Sequence, residues 1–178
     1  MVKIGYLVGS LAPDSINRKL AGVIVSQAPE HAQLVEIEIA ELPLYDRHLD
    51  ADFPQVMTDF KEQAAAVDGL LLVTPEHSQS FPAPVKNALD ILTRGGSSEL
   101  KGLKLGIAGA SPSRFATINS QAQLRQFLPL QGVKLMGTPV LAVQVGEDTF
   151  DDDDGAADAA TTRRAKKYIE AFTAFVEA

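Results

Sequence analysis

Residues 69–74 read GLLLVT, an apolar run without polar alternation that lies between Asp68 and Pro75. A strand this short and this uniformly apolar must be covered on both faces, as inner strands of helix-flanked parallel sheets are. The rest of the chain supplies the cover. VKIGYLV at 2–8, LKLGIAGA at 103–110 and VLAVQV at 140–145 are further strand candidates, and LVEIEI at 34–39 alternates apolar with acidic residues. Between them apolar residues recur with helical spacing: Ile16, Leu20, Val23 and Ile24; then Phe53, Val56, Met57, Phe60, Ala64 and Val67. The series continues with Val85, Ala88, Leu89 and Leu92, with Phe115, Ile118, Ala122 and Phe127, and with Ala165, Ile169, Phe172 and Val176. Such βα alternation implies an α/β three-layer sandwich: a five-stranded parallel sheet with right-handed crossovers and helices on both faces. In the strand order 2-1-3-4-5 the half-polar second strand lies at an edge and the first and third lie inside.

A chain of 178 residues, 46% of them hydrophobic, can bury one substantial core, so residues 1–178 are expected to form a single domain. Sixteen basic against 23 acidic residues leave a net charge of −7, which is the wrong balance for nucleic acid. Cysteine is absent, which excludes disulfides and thiolate nucleophiles and suits a reducing cytoplasm. No apolar run approaches membrane-spanning length and no leader pattern opens the chain, so the reading is cytoplasmic, with no membrane partner. His31, His48 and His77 are scattered, without metal-ligand spacing. GGSSEL at 95–100 and DDDDG at 151–155 read as surface connections, and Arg163 and Arg164 as the exposed side of the last helix.

In the order 2-1-3-4-5 the ligand cleft lies beyond the carboxyl ends of strands one and three, where the chain reverses direction across the sheet. GSLAPDSINRKLA at 9–21 places Ser10, Ser15 and Asn17 at the start of the first helix. Free N–H groups and hydroxyls at a helix N-terminus suit a phosphate, while a plain N-cap by Asp14 or Ser15 is the other reading of the same residues. Neither GxGxxG nor GxxxxGK[ST] is present, so a monophosphate fits better than a dinucleotide or a nucleoside triphosphate. TPEHSQS at 74–80 follows the buried strand and is polar and stiff, with prolines at 75, 82 and 84.

Three segments together resemble the NAD(P)H-dependent FMN reductases of flavodoxin-like fold, a family that includes chromate and quinone reductases. Gly9, Ser10, Ser15 and Asn17 match its GS-x-R-x-x-S-x-N pattern. TPEHSQSFPAPVKNALDILTR is similar to its PEYNxSxPxxLKNAIDWxSR signature at Pro75, Glu76, Ser80, Pro82, Lys86, Asn87, Ala88, Asp90 and Arg94. ASPSRFATINSQAQLRQ resembles its SPGxxGxxxAQxxLR segment at Ser111, Pro112, Gln121 or Gln123, Leu124 and Arg125. The resemblance implies FMN as cofactor and NAD(P)H as co-substrate, with a quinone, a flavin or another small molecule as electron acceptor. It puts the phosphate at Ser10, Ser15, Ile16 and Asn17, the isoalloxazine ring against Pro75, Glu76, His77 and Ser78, and Ser111 on the ring's far side. It also implies a homodimer or homotetramer. No catalytic side chain is assigned, because the chemistry belongs to the cofactor. The alternative is a flavodoxin-like binding module that has lost useful FMN binding and catalysis.

The chain departs from that family at four places. Ala12 stands where the pattern has Arg, His77-Ser78 replaces Tyr-Asn, and Ser113 and Ala116 occupy positions that prefer Gly. A charge-assisted bond to phosphate is worth about 1.5–3 kcal/mol, which is about ten-fold to hundred-fold in affinity. FMN is therefore expected to dissociate measurably on dilution, and Ala12→Arg to tighten it about ten-fold or more at low salt. A flavin titration of both proteins at two ionic strengths checks this, and an Arg variant that binds no tighter at low salt means either that the phosphate is not at this loop or that other groups already saturate it.

Overall fold

The computed structural model describes residues 1–151 and 156–178. The core of the sheet is β1 (Val2–Val8), β3 (Gly69–Val73) and β4 (Lys104–Ser111), flanked by β2 (Ala32–Glu36) at one edge. The far edge is filled by two short segments, β5 (Lys134–Leu135) and β6 (Leu141–Gln144), both parallel to β4. The order is β2-β1-β3-β4-β5, with β6 also on β4. The expected order 2-1-3-4-5 is present, and its fifth position is divided. VLAVQV at 140–145 corresponds to β6; Lys134–Leu135 is too short to announce itself in sequence.

Alternation along β3 distributes the core to two layers. Leu71 and Val73 join a cluster with Leu20, Val23 and Ile24 of α1 (Ile16–Ser26) and Ala165, Ile169 and Phe172 of α5 (Ala159–Glu177). Leu70 and Leu72 join Met57 and Phe60 of α2 (Gln55–Ala65), Val85 and Leu89 of α3 (Ala83–Ile91) and Leu124 of α4 (Ile118–Phe127). All five residues of β3 are buried, whereas every residue of β2 keeps some exposure. The ladder of β2 ends earlier than the alternation of LVEIEI suggests. Ile37 still donates its N–H to the Tyr6 carbonyl at 2.9 Å, and the chain then leaves the sheet, with Ile37 and Ile39 packed among the side chains of α2 and α3.

Helix α4 departs from expectation. Phe115 and Ile118 are about half exposed and Ala122 is exposed, while the buried side is Ser120, Gln121 and Leu124. The stretch 95–100 is only partly surface: Leu100 is fully buried, and Lys61, itself 7% exposed, donates to the carbonyls of Arg94 and Ser97 with Glu99 3.6 Å away. Arg164 lies on the exposed side of α5 and donates to the Ala142 carbonyl at 2.6 Å. The run 151–155 lies, apart from Asp151, outside the described residues.

Asp158 starts α5. Its carboxylate accepts from the N–H groups of Ala160 and Thr161 at 2.7 and 2.8 Å and from the Thr161 hydroxyl at 3.0 Å. The bonds to Thr161 hold its pKa below the ordinary carboxylate value. A depressed folded-state pKa contributes stability above the unfolded value of about 3.9, and that contribution is lost as pH falls through the folded value. Asp158→Ala should cost about 1 kcal/mol at pH 7, with the gap to the parent closing as denaturant melts are repeated from pH 5 to pH 3. A gap that stays constant over that range contradicts an ionised cap.

Candidate functional site

Three loops converge at the carboxyl ends of β1, β3 and β4. They enclose a cavity of about 210 Å³ lined by Ser10, Ser15, Ile16, Asn17, Pro75, Glu76, His77 and Ser111, together with Ala110 and Pro112. Eight of the nine residues expected from sequence are thus brought together. Ser78 is the exception, because it sits at the tip of a turn beyond the lining.

The first loop is organised by two buried side chains. Ser15, 8% exposed, caps α1 by accepting the Asn17 N–H at 3.2 Å, and no acidic residue occupies the first turn. The Asn17 amide, 1% exposed, donates to the Ala110 carbonyl and accepts from the Ala110 N–H, both at 2.9 Å. Its side chain therefore fixes the loop to β4 at the border of the cavity. Arg18 leaves the helix toward Glu36, at 2.7 Å. The same carboxylate accepts from the Tyr6 hydroxyl at 3.2 Å, and burial followed by that charge holds the phenol above its ordinary pKa. Lys19 extends to the Asp151 carbonyl at 3.4 Å.

The second loop is a hairpin. His77 and Ser80 exchange both backbone hydrogen bonds at 2.9 Å, with Ser78 at φ 49° and Gln79 at φ 61° between them. Two left-handed residues in a two-residue turn form the tight hairpin that Asn-Gly favours, and each non-glycine residue there costs about 1–2 kcal/mol. Glu76 turns away from the hairpin: its oxygens accept from the Asn119 amide at 3.1 Å and the Ser120 N–H at 3.0 Å. A carboxylate at that position caps α4, whose own first flanking residue, Thr117, makes no side-chain cap. Gln123 donates to the Gln79 carbonyl at 2.9 Å and accepts from the Ser80 hydroxyl at 2.6 Å.

The third loop begins at Ser111, whose hydroxyl accepts from the Ser113 N–H at 3.2 Å. Of the two positions where glycine was the expected residue, Ala116 has the left-handed backbone, at φ 49°. The remaining residues of the second motif serve other ends. The Asn87 amide holds the Pro43 carbonyl and the Tyr45 N–H, Arg94 lies 5.2 Å over the Tyr45 ring, and Lys86 pairs with Asp90 at 2.6 Å. Asn87 and Arg94 thereby anchor the long segment between β2 and α2. Among the described residues no group of three or more His, Asp or Glu is placed to hold a metal.

The residues present fit a flavin mononucleotide. The first turn of α1, with its serine cap and without carboxylates, suits the phosphate. Rigid backbone on two sides suits a flat ring.

Comparison with known proteins agrees with this geometry. Residues 2–148 match the family described as NADPH-dependent FMN reductase. The chain is 35% identical to a 2-hydroxy-1,4-benzoquinone reductase of a Burkholderia species, over 98% of this chain and 96% of that protein. It is 30% identical to a quinone reductase of Pseudomonas putida, over 98% and 94% respectively. Among solved structures, the flavoenzyme NAD(P)H:(acceptor) oxidoreductase FerB of Paracoccus denitrificans aligns with a TM-score of 0.92 at 30% identity, covering 99% of this chain and 98% of that one.

Beside the cavity, Gly109 leaves no room for a side chain: a methyl group there would overlap the Thr74 carbonyl oxygen and lie 2.7 Å from the Thr117 hydroxyl. Gly109→Ala should force β4 and the Thr74 turn apart and destabilise the protein by about 1–3 kcal/mol, read as a lowered melting temperature. An unchanged melt shows that the loops yield freely.

Proposed function

The chain belongs to the NADPH-dependent FMN reductase family, and from that premise we propose that it is an FMN-dependent NAD(P)H oxidoreductase that reduces quinones or similar small acceptors. The observation that carries this reading is the meeting of three loops at the switch point of the sheet, where the first turn of α1 and the hairpin after β3 face one cavity. Ser10, Ser15 and Ile16 hold the phosphate in this reading. Asn17 acts through Ala110, setting the loop in place. Pro75, Glu76 and His77 form one wall beside the ring, and Ser111 with Pro112 the other.

Bound FMN would supply a two-electron carrier between nicotinamide and acceptor. In the net reaction NAD(P)H, a proton and a quinone give NAD(P)⁺ and a hydroquinone. The protein binds, orients and shields, and no side chain is assigned as acid or base. The names of the relatives, a 2-hydroxy-1,4-benzoquinone reductase and quinone reductases, support a quinone as the acceptor.

The reading extends to a single domain over 1–178 working in the cytoplasm as a homodimer or homotetramer. The half-exposed Phe115 and Ile118 beside the site are apolar surface that a second copy would cover. Among the described residues no helix is long and apolar enough to cross a membrane.

Purified protein reconstituted with FMN should be yellow and should oxidise NAD(P)H with a benzoquinone as acceptor. Absence of a bound-flavin spectrum after reconstitution overturns the proposal in favour of a binding module without FMN. Ser15→Ala should weaken FMN about ten-fold and leave riboflavin, which lacks the phosphate, nearly unchanged. Equal losses for both ligands in a fluorescence titration reduce Ser15 to a helix cap.

A further inference from the structure

The hairpin at 75–80 has an unfavourable turn and an unusual set of supports. Its two left-handed residues, Ser78 and Gln79, include no glycine or asparagine, so local preference works against the conformation. Four of its six residues are tied to one side of one helix. The Pro75 carbonyl accepts from the Ser120 hydroxyl at 3.1 Å, and the Glu76 carboxylate accepts from Asn119 and Ser120. The Gln79 carbonyl and the Ser80 hydroxyl are held by Gln123. Residues 119, 120 and 123 are three and four positions apart, which places them on the same side of α4. This accounts for the polar character of a helix that apolar periodicity alone misreads.

We propose that Glu76 and Gln123 are positioning residues: they clamp the hairpin to α4 in its strained form, so that the wall of the site made by Pro75, Glu76 and His77 is set by α4. The assignment of that wall to the flavin ring rests on the function proposed above. The clamp itself does not. Gln123 matters most, because it alone reaches both the strained residue and the residue that closes the turn. Its amide supplies one donor and one acceptor, matched to the Gln79 carbonyl and the Ser80 hydroxyl. A glutamate in its place would keep the acceptor and lose the donor.

The test is amide hydrogen exchange of the full chain without added flavin, followed on the N–H groups of His77 and Ser80, which close the hairpin. Gln123→Ala should speed exchange at both at least ten-fold, with Gln123→Glu intermediate. Adding Gln79→Gly to Gln123→Ala should return exchange toward the parent rate, because glycine takes the left-handed conformation freely. A loss of general packing at α4 would not be repaired by a change at residue 79. Unchanged exchange in Gln123→Ala, or no recovery in the double variant, overturns the clamp. With flavin present, Gln123→Ala should weaken FMN and riboflavin by the same factor, since the hairpin borders the ring and not the phosphate. A loss confined to FMN, or no loss despite faster exchange, overturns the link between the clamp and the ring. If the parent protein binds neither flavin, the proposed function fails, and the exchange comparison still decides the clamp.

Discussion

The site depends on one buried pair of hydrogen bonds. β3 ends at Val73, and its last rung toward β4 is the Thr74 N–H donating to the Ala108 carbonyl at 2.8 Å. β4 runs on to Ser111, so beyond that rung its edge on the β3 side has lost its partner strand. Both backbone groups of Ala110 are taken there by the Asn17 amide. A buried backbone group without a partner costs about 1–3 kcal/mol, and an amide with one donor and one acceptor answers both at once. In doing so it carries the first turn of α1 across the end of β3 to β4, and the two loops that flank the cavity are fixed relative to each other. Asn17, a residue of the first motif, thereby sets the position of the first loop of the cavity.

The opposite edge of β4 shows the same solution. The carbonyls of Leu103 and Leu105 accept from Lys134 and Met136 at 2.9 Å, and that of Ser111 accepts from Val145 at 3.0 Å. Between them the edge strand is interrupted, and the Ile107 carbonyl is taken by the Tyr168 hydroxyl at 2.8 Å. Burial pushes that phenol well above its ordinary pKa, which keeps it a neutral donor. On the other side of the gap, Arg125 donates to the Met136 carbonyl and Gln121 to the Leu141 carbonyl, each at 2.9 Å. Three side chains from two helices thus add hydrogen bonds to the backbone where the edge passes from β5 to β6.

This bonding of side chains to backbone explains what could and could not be read from the sequence. The inner strands were legible because burial on both faces leaves no place for a polar residue, as in GLLLV. α5 was legible for a related reason: its inner side packs mainly into the apolar cluster, so Ala165, Ile169 and Phe172 keep a clean helical period. The helix α4 was legible but its buried side was not, because beside Leu124 that side meets backbone carbonyls, and Ser120 and Gln121 are buried for their hydrogen bonds. Phe115 and Ile118 then supply a false period. The division of the edge strand was equally hidden, since two residues carry no periodicity. Motif spacing located eight cavity residues that periodicity could not, and two of them, Asn17 and Glu76, also hold other parts of the protein in place.

The motif residues therefore divide by what backbone they meet. Where a strand ends or breaks, its unpaired groups require side chains of fixed donor and acceptor pattern: Asn17 at Ala110, Arg125 at Met136 and Gly137. Where a helix begins, as at α1, an N–H group that the Ser15 cap does not take remains available to a ligand. A sheet of this order brings both situations to one place, because β4 runs on past the level at which β1 and β3 end. Residues that complete the sheet and residues that face the cavity are consequently neighbours in sequence, and a motif records both without distinguishing them. Ser15 and Asn17, two positions apart, show the division: the hydroxyl borders the cavity at the start of the helix, and the amide is committed to the strand.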